Sequence, residues 1–225
     1  MTSTNDRAPD PRPARTRAAI FAAARDLTSA DGEVTVNALA KQAGVSRAAF
    51  YSHFSGLDAL MGAMLEQMFE KAWERGAKYG SEGTGLKERI CFGFGMLVAY
   101  VERHHAFLRG ALEWKFAHRT FMVMIEMMTE LHAIALDRLG DDLPAGIEIR
   151  SMGRAIAGGA VAQCCQWLVD TEEEARSGGA PDATELLRSI LRNAPAWYTG
   201  LEPGAEFGVV ELLENCRQIK ADEEA

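Results

Sequence analysis

Apolar residues recur at helical spacing along almost the whole chain, and no segment alternates apolar and polar long enough to read as a strand. Ile20, Ala23, Ala24 and Leu27 predict a helix that begins near Arg15 and stops at the Ala30–Asp31–Gly32 break. Thr35 can cap a short helix over 36–42 that presents Val36, Leu39 and Ala40 on one face. Gly44 supplies a turn, Ser46 a second cap, and a helix over 47–53 follows. Ser55 and Asp58 have capping-box spacing and open a long helix over about 56–79, with Leu60, Met61, Met64, Leu65, Met68, Phe69 and Trp73 as its inner stripe. Beyond the "GSEGTG" break at 80–85, helices are predicted over about 86–103, 106–113, 119–139, 147–175, 182–193 and 206–219. The pattern predicts an all-α protein.

The breaks divide the chain. Residues 1–14, with Pro9, Pro11 and Pro13, read as a disordered arm. Residues 15–60 form a first domain, 61–200 a larger helical domain joined to it by the helix at about 56–79, and 201–225 a C-terminal extension.

Charge sharpens this division. The 225-residue chain carries a net charge of −8. Residues 1–60 hold seven Arg/Lys against six acids, so the acidity lies almost wholly beyond them. A phosphate-binding surface therefore belongs near the N-terminus. No apolar run approaches the ~20 residues that span a bilayer. The N-terminal segment lacks the apolar core of a secretory signal. Cys91, Cys164, Cys165 and Cys216 show no CxxC spacing and read as reduced thiols, which points to a cytoplasmic protein.

The candidate chemistry sits in "AGVSRAAFYSHF", residues 43–54. Two short helices joined by a Gly-containing turn make a helix-turn-helix. Val36, Leu39, Ala40, Val45, Phe50 and Phe54 can pack inward, which leaves Arg47, Ala48, Tyr51, Ser52 and His53 to face or skirt a partner. The second helix of such a unit enters the DNA major groove with its N-terminal residues at base edges. Arg47 suits bidentate pairing with guanine, and Ala48 close backbone approach or contact with a thymine methyl. Thr35, Ser46, Tyr51 and His53 suit phosphate oxygens, and the N-termini of both short helices favour phosphate.

The segment 16–61, most densely "LAKQAGVSRAAFYSHF" at 39–54, resembles the DNA-binding domain of the TetR (tetracycline repressor) family. The resemblance implies a homodimeric bacterial transcriptional regulator, usually a repressor, with an N-terminal three-helix DNA-binding domain and a larger C-terminal domain for ligand binding and dimerisation. By motif position it assigns Arg47, Ala48 and Ser52 to base reading and Thr35, Tyr51 and His53 to the DNA backbone. One place departs from the family: Leu57 stands where a phosphate-directed lysine is frequent, and Arg17 or the arginines of the arm are candidates to compensate.

Aromatic and methionine side chains concentrate after residue 85, an adaptable apolar lining. The expected pocket draws on Phe94, Leu97, Tyr100, Phe107, Trp114, Met124, Met128 and Trp167, with Tyr100, His104 and Trp114 orienting an apolar or aromatic effector. Gly93, Gly95, Gly158 and Gly159 leave room near helix axes. The resemblance places dimerisation in the last two main helices, where Ala157, Val161, Cys164, Leu168, Leu187 and Ile190 fall at helical spacing. The partners expected are a pseudo-palindromic double-stranded DNA operator, a small-molecule effector and a second copy of the chain, without cofactor, metal or membrane. An enzyme is the poorer reading. No GxSxG, P-loop or dinucleotide fingerprint occurs, and His104 and His105 are adjacent rather than at the i, i+4 spacing that shares a metal. The alternatives are a helical regulator without an effector and a thiol or metal sensor built on Cys164 and Cys165.

Overall fold

The computed structural model describes residues 12–29, 34–64, 67, 85–113, 117–201 and 208–221. All regular structure among them is helical. The chain divides into two compact units, Met1–Leu60 and Met61–Ala225.

The first unit contains α1 (Arg12–Ser29), α2 (Val36–Gln42), α3 (Arg47–His53) and residues 57–60 of α4, which is helical at 57–64 and 67 among the described residues. Helix α1 begins at Arg12, three residues before the expected start and inside the segment expected to be disordered. Pro13 does not prevent this, because the first turn has no intrahelical acceptor for its missing N–H. Ile20, Phe21, Ala23 and Ala24 of α1 pack with Leu39, Ala40, Phe50, Phe54 and Leu60 to form the core. Val36 and Val45, expected inside, are half-buried. The first backbone bond of α4 runs from the Leu60 N–H to the Gly56 carbonyl, so the helix starts one residue beyond the expected Ser55 cap. Met61 and Met64 are buried as expected, whereas Leu65, Met68, Phe69 and Trp73 lie outside the residues whose side chains are described.

The second unit contains α5 (Leu86–Arg103), α6 (His105–Leu112), α7 (Ala117–Asp137), a 3-10 turn (Gly140–Asp142), α8 (Ile149–Asp170), α9 (Glu172–Arg176), α10 (Thr184–Asn193), α11 (Ala196–Thr199) and α12 (Val209–Ala221). Helix α5 is central. It buries residues on most of its circumference and packs against α6, α10, α11 and α12, as expected of a helix that is apolar nearly all round. Helices α7 and α8 run side by side, and Gly153 makes their contact possible: a Cβ there would lie 3.0 Å from the Thr129 carbonyl oxygen and 3.6 Å from His132 Cβ.

Three features of this unit depart from expectation. The single helix expected over 147–175 breaks at Thr171, whose hydroxyl donates to the Trp167 carbonyl at 2.7 Å and whose backbone leaves helical geometry. A threonine side chain that bonds the preceding turn offers the backbone this alternative. The short α11, unforeseen, starts after Pro195 and stops at Gly200, where φ is +74°. The C-terminal extension is part of the core: Val209, Leu213 and Cys216 of α12 are buried. Gly95 receives this helix, since a Cβ at that position would lie 2.8 Å from Cys216 Sγ. The room expected beside Gly95 is thus filled, whereas Gly93, Gly158 and Gly159 face open space. Arg217 locks α12 in place with bonds of 2.8 and 2.6 Å to the Glu102 carboxylate and 2.9 Å to Asp182.

Candidate nucleic-acid interface and buried polar site

The turn between α2 and α3 is closed by backbone bonds. Gly44 takes φ +65°, its N–H reaches the Lys41 carbonyl at 3.2 Å, and the Val45 N–H reaches that of Ala40 at 2.9 Å. A left-handed residue is needed there, and glycine adopts it without a Cβ clash. Thr35 Oγ1 accepts from the Ala38 N–H at 3.1 Å and Ser46 Oγ from the Ala49 N–H at 3.0 Å, so both caps form as the sequence implies. Each contributes about 1 kcal/mol to its helix.

Helix α3 is held from one side. Phe50 is fully buried and Phe54 nearly so, and the Phe54 ring stacks on Phe21 of α1 with centroids 5.8 Å apart. Arg47, Ala48 and Ser52 are exposed, Tyr51 is 49% exposed despite its aromatic ring, and His53 is half-buried. Every candidate base-reading side chain therefore stands on the free side of the helix. Their hydrogen-bonding capacities differ. Thr35 and Ser46 use a lone pair for capping and retain an O–H to donate. Ser52 spends its O–H on the Ala49 carbonyl at 2.7 Å and retains only acceptor capacity. Arg17 behaves differently from the expected phosphate ligand: its guanidinium lies over Phe21 and Phe54, 5.1 and 5.3 Å from the ring centroids.

The nine candidate pocket residues do not all come together in one described cluster. Phe94 is buried with its ring 5.3 Å from that of His132. Tyr100 and His104 are half-buried, their rings tilted against one another with centroids 4.2 Å apart. Trp167 packs edge-on against His105 at 5.3 Å. Leu97, Phe107 and Met128 are buried, Met124 is half-buried, and Trp114 lies outside the described residues.

Two histidines outside the candidate sites, His105 and His132, are buried, as are Thr129 and Thr199. His105 Nε2 lies 2.8 Å from Thr171 Oγ1, and burial together with the nearby Arg109 guanidinium holds its pKa below the ordinary value. His132, on α7, has Nδ1 2.8 Å from the Tyr198 hydroxyl of α11. Burial pushes its pKa down to about 4, so the ring is neutral at physiological pH. Its Nε2 is buried without a hydrogen-bond partner. Such an orphan costs about 1–3 kcal/mol. The signal in the sequence was the position of His132 four residues after Met128 and seven after Ile125, on the buried stripe of α7. Its partner Tyr198 is 66 residues away and not legible from spacing.

The six candidate dimerisation residues lie on inward faces of α8 and α10. Ala157, Val161, Cys164, Leu168, Leu187 and Ile190 are all buried within the single chain, so their face belongs to the intrachain core and is closed to a second copy. The opposite faces of α8 and α10 are exposed at Ala155, Gly159, Ala162, Gln166 and Val169, and at Ser189 and Asn193. Gln163 Oε1 joins these outer faces by accepting from Ser189 Oγ at 2.7 Å and Asn193 Nδ2 at 3.1 Å. Burial also pushes the thiol of Cys91 up to about 11 and raises those of Cys164 and Cys165. A suppressed thiolate is a poor nucleophile and metal ligand, which weakens the thiol-sensor alternative.

Fold and site define an all-helical protein with an N-terminal helix-turn-helix unit. The model of the family described as bacterial regulatory proteins, tetR family, matches residues 20–64. The chain's N-terminal unit is thus a TetR-family helix-turn-helix domain, and the chain as a whole has the fold of TetR-family transcriptional regulators. FadR of Thermus thermophilus, a TetR-family transcriptional repressor in complex with lauroyl-CoA, is 23% identical; the match covers 85% of this chain and 100% of that one, at a TM-score of 0.62. A TetR-family transcriptional regulator from Syntrophomonas wolfei str. Goettingen is 12% identical, with 85% and 99% covered and a TM-score of 0.63. FadR of Bacillus subtilis in complex with stearoyl-CoA is 17% identical, with 82% and 99% covered and a TM-score of 0.52. No curated protein matches the sequence. No helix among the described residues is long and apolar enough to cross a membrane.

Proposed function

We propose that this chain is a transcriptional repressor that binds a pseudo-palindromic DNA operator as a dimer and leaves it when a small apolar molecule binds the second unit. The observation that carries the reading is the two-sided character of α3. Phe50 and Phe54 are buried, while Arg47, Ala48, Tyr51 and Ser52 are exposed on a helix with a formed N-cap. In this reading Arg47 pairs with a guanine edge, Ala48 lets the backbone approach, and Ser52 accepts from a cytosine or adenine amino group, the one role its engaged hydroxyl leaves open. Thr35, Ser46, Tyr51 and His53 fix register on phosphates. Arg17 steadies the end of α3 from the aromatic side.

Dimerisation uses the exposed faces of α8 and α10. Small residues at 155, 158, 159 and 162 allow two copies of α8 to approach closely about a two-fold axis. The effector is apolar, in keeping with the apolar surroundings of Phe94 and Met128, and the fold neighbour from Thermus thermophilus is in complex with lauroyl-CoA, whose acyl chain is of that kind. Helix α4, which leaves the first unit at Leu60, carries the coupling. An effector that favours the DNA-incompetent dimer by ~1–3 kcal/mol lowers operator affinity about 5- to 150-fold.

Selection of genomic fragments on the purified full chain, followed by footprinting, tests the proposal. The expected result is a protected pseudo-palindrome bound with a steep salt dependence. Binding that ignores sequence, or no DNA binding at low salt, would overturn it.

A further inference from the structure

Helix α7 places His132 beside the ring of Phe94 and the hydroxyl of Tyr198, where α8 closes on it at Gly153. Nothing in an apolar core requires an imidazole at this point. Its two nitrogens are treated differently: Nδ1 is tied to Tyr198, and Nε2 is buried and unpartnered. The Tyr198–His132 pair can be drawn in two ways. If Nδ1–H donates to the tyrosine oxygen, the tyrosine O–H and the Nε2 lone pair are both left over. If the tyrosine O–H donates to Nδ1, only one orphan remains, the Nε2–H. The second arrangement satisfies more of the buried polar groups and is the preferred tautomer. Tyr198 is 1% exposed and His132 9%, so bulk water does not serve either group.

We propose that His132 Nε2–H is the polar anchor of the effector site in the second unit, and that it selects an uncharged apolar molecule bearing a hydrogen-bond acceptor such as a ketone, ester or thioester carbonyl. Tyr198 is the positioning residue, because its hydroxyl sets the tautomer that makes Nε2 a donor. This deepens the reading of the second unit as effector-binding and rests on it. It also specifies the ligand further. A carboxylate is disfavoured because its charge would be buried against a neutral ring, and a pure hydrocarbon would leave the donor unpaired.

The test uses the full chain with 15N-labelled histidine and two matched pairs of probes, acetophenone with ethylbenzene and 2-octanone with octane. In the unliganded protein at neutral pH, the His132 ring is expected as the Nε2–H tautomer, its resonances assigned by their loss in His132→Phe. At least one ketone should shift the Nε2–H resonance and bind about 5- to 100-fold more tightly than its hydrocarbon partner. That preference should vanish in the His132→Phe/Tyr198→Phe double variant, which removes both polar groups together and keeps the test alive if His132→Phe alone unfolds. An Nδ1–H tautomer, equal binding of ketone and hydrocarbon, or no binding of either ketone overturns the inference. A resident water on Nε2 would give the second of these results. Operator binding is measured on the same samples. A compound that releases the operator without moving the His132 resonances sinks this inference and leaves the regulator standing. Failure to bind any operator sinks the regulator while the ketone preference is judged on its own.

Discussion

The Arg17 guanidinium lies over the ring of Phe54, 5.3 Å from its centroid, and over that of Phe21 at 5.1 Å. A residue of the first helix thereby clamps the residue that ends the third. An exposed cation–π contact of this kind is worth about 0.5–1 kcal/mol. Arg17→Ala is expected to lower the stability of the N-terminal unit by about that amount in urea titrations and to weaken operator binding modestly for all sequences alike. Loss of binding with no change in stability would return Arg17 to the role of a plain phosphate ligand.

Arg47 and Tyr51 separate two kinds of contact. Arg47→Ala is expected to cost ~1–3 kcal/mol of specific binding and to relax selectivity at one position of each half-site. Tyr51→Phe is expected to weaken binding evenly across sequences by removing one phosphate bond. Competition against a panel of single-base operator variants distinguishes them. If Arg47→Ala keeps the wild-type ranking of the panel, Arg47 reads no base.

The outer face of α8 makes assembly testable at Ala162, which is exposed. Ala162→Arg brings two like charges together across a two-fold axis, and sedimentation at micromolar concentration should show monomer with unchanged helical content. By contrast, Leu187→Ala should cost stability of roughly 2–5 kcal/mol, because Leu187 is fully buried within one chain. A fully dimeric Ala162→Arg variant would move the interface elsewhere.

The fit of α12 against α5 depends on the missing side chain at Gly95. Gly95→Ala puts a methyl 2.8 Å from Cys216 Sγ and 3.3 Å from Leu212 Cγ, and overpacking of this sort costs about 1–3 kcal/mol. Faster hydrogen exchange in α12 than in the rest of the unit is the expected signature. Uniform acceleration across the unit would show that α12 does not yield separately.

His132 links stability to pH. Its pKa falls from 6.5 in the unfolded chain to about 4 in the folded one. Between those values the unfolded state binds the extra proton, so stability falls as pH drops from about 6.5 towards 4 and is fully present above that window. The full effect is about 3 kcal/mol. His105, shifted in the same direction, adds to it. The His132→Phe/Tyr198→Phe variant should show a shallower decline than the wild type in denaturant titrations across this range. Parallel curves would mean that His132 takes its proton without unfolding.

The spans of α2, α3 and α5 follow from the sequence alone, because capping residues, Gly44 and the 3.6-residue repeat act within a few residues of each other. So does the division of α3 into a buried and an exposed side, since Phe50 and Phe54 share one face of a single turn. Other matters were decided only in three dimensions. Spacing shows that Leu187, Ile190 and Cys164 are apolar and share a face, but an apolar face packs equally well against its own chain or a second copy, and burial alone assigns it to the first. The partners of His132 lie on α5 and α11, far along the chain, and no local pattern announces a hydrogen bond between residues 132 and 198. The docking of α12 on Gly95 is likewise set by contacts. A helical repeat states which residues must be covered, and the packing of the whole chain determines what covers them.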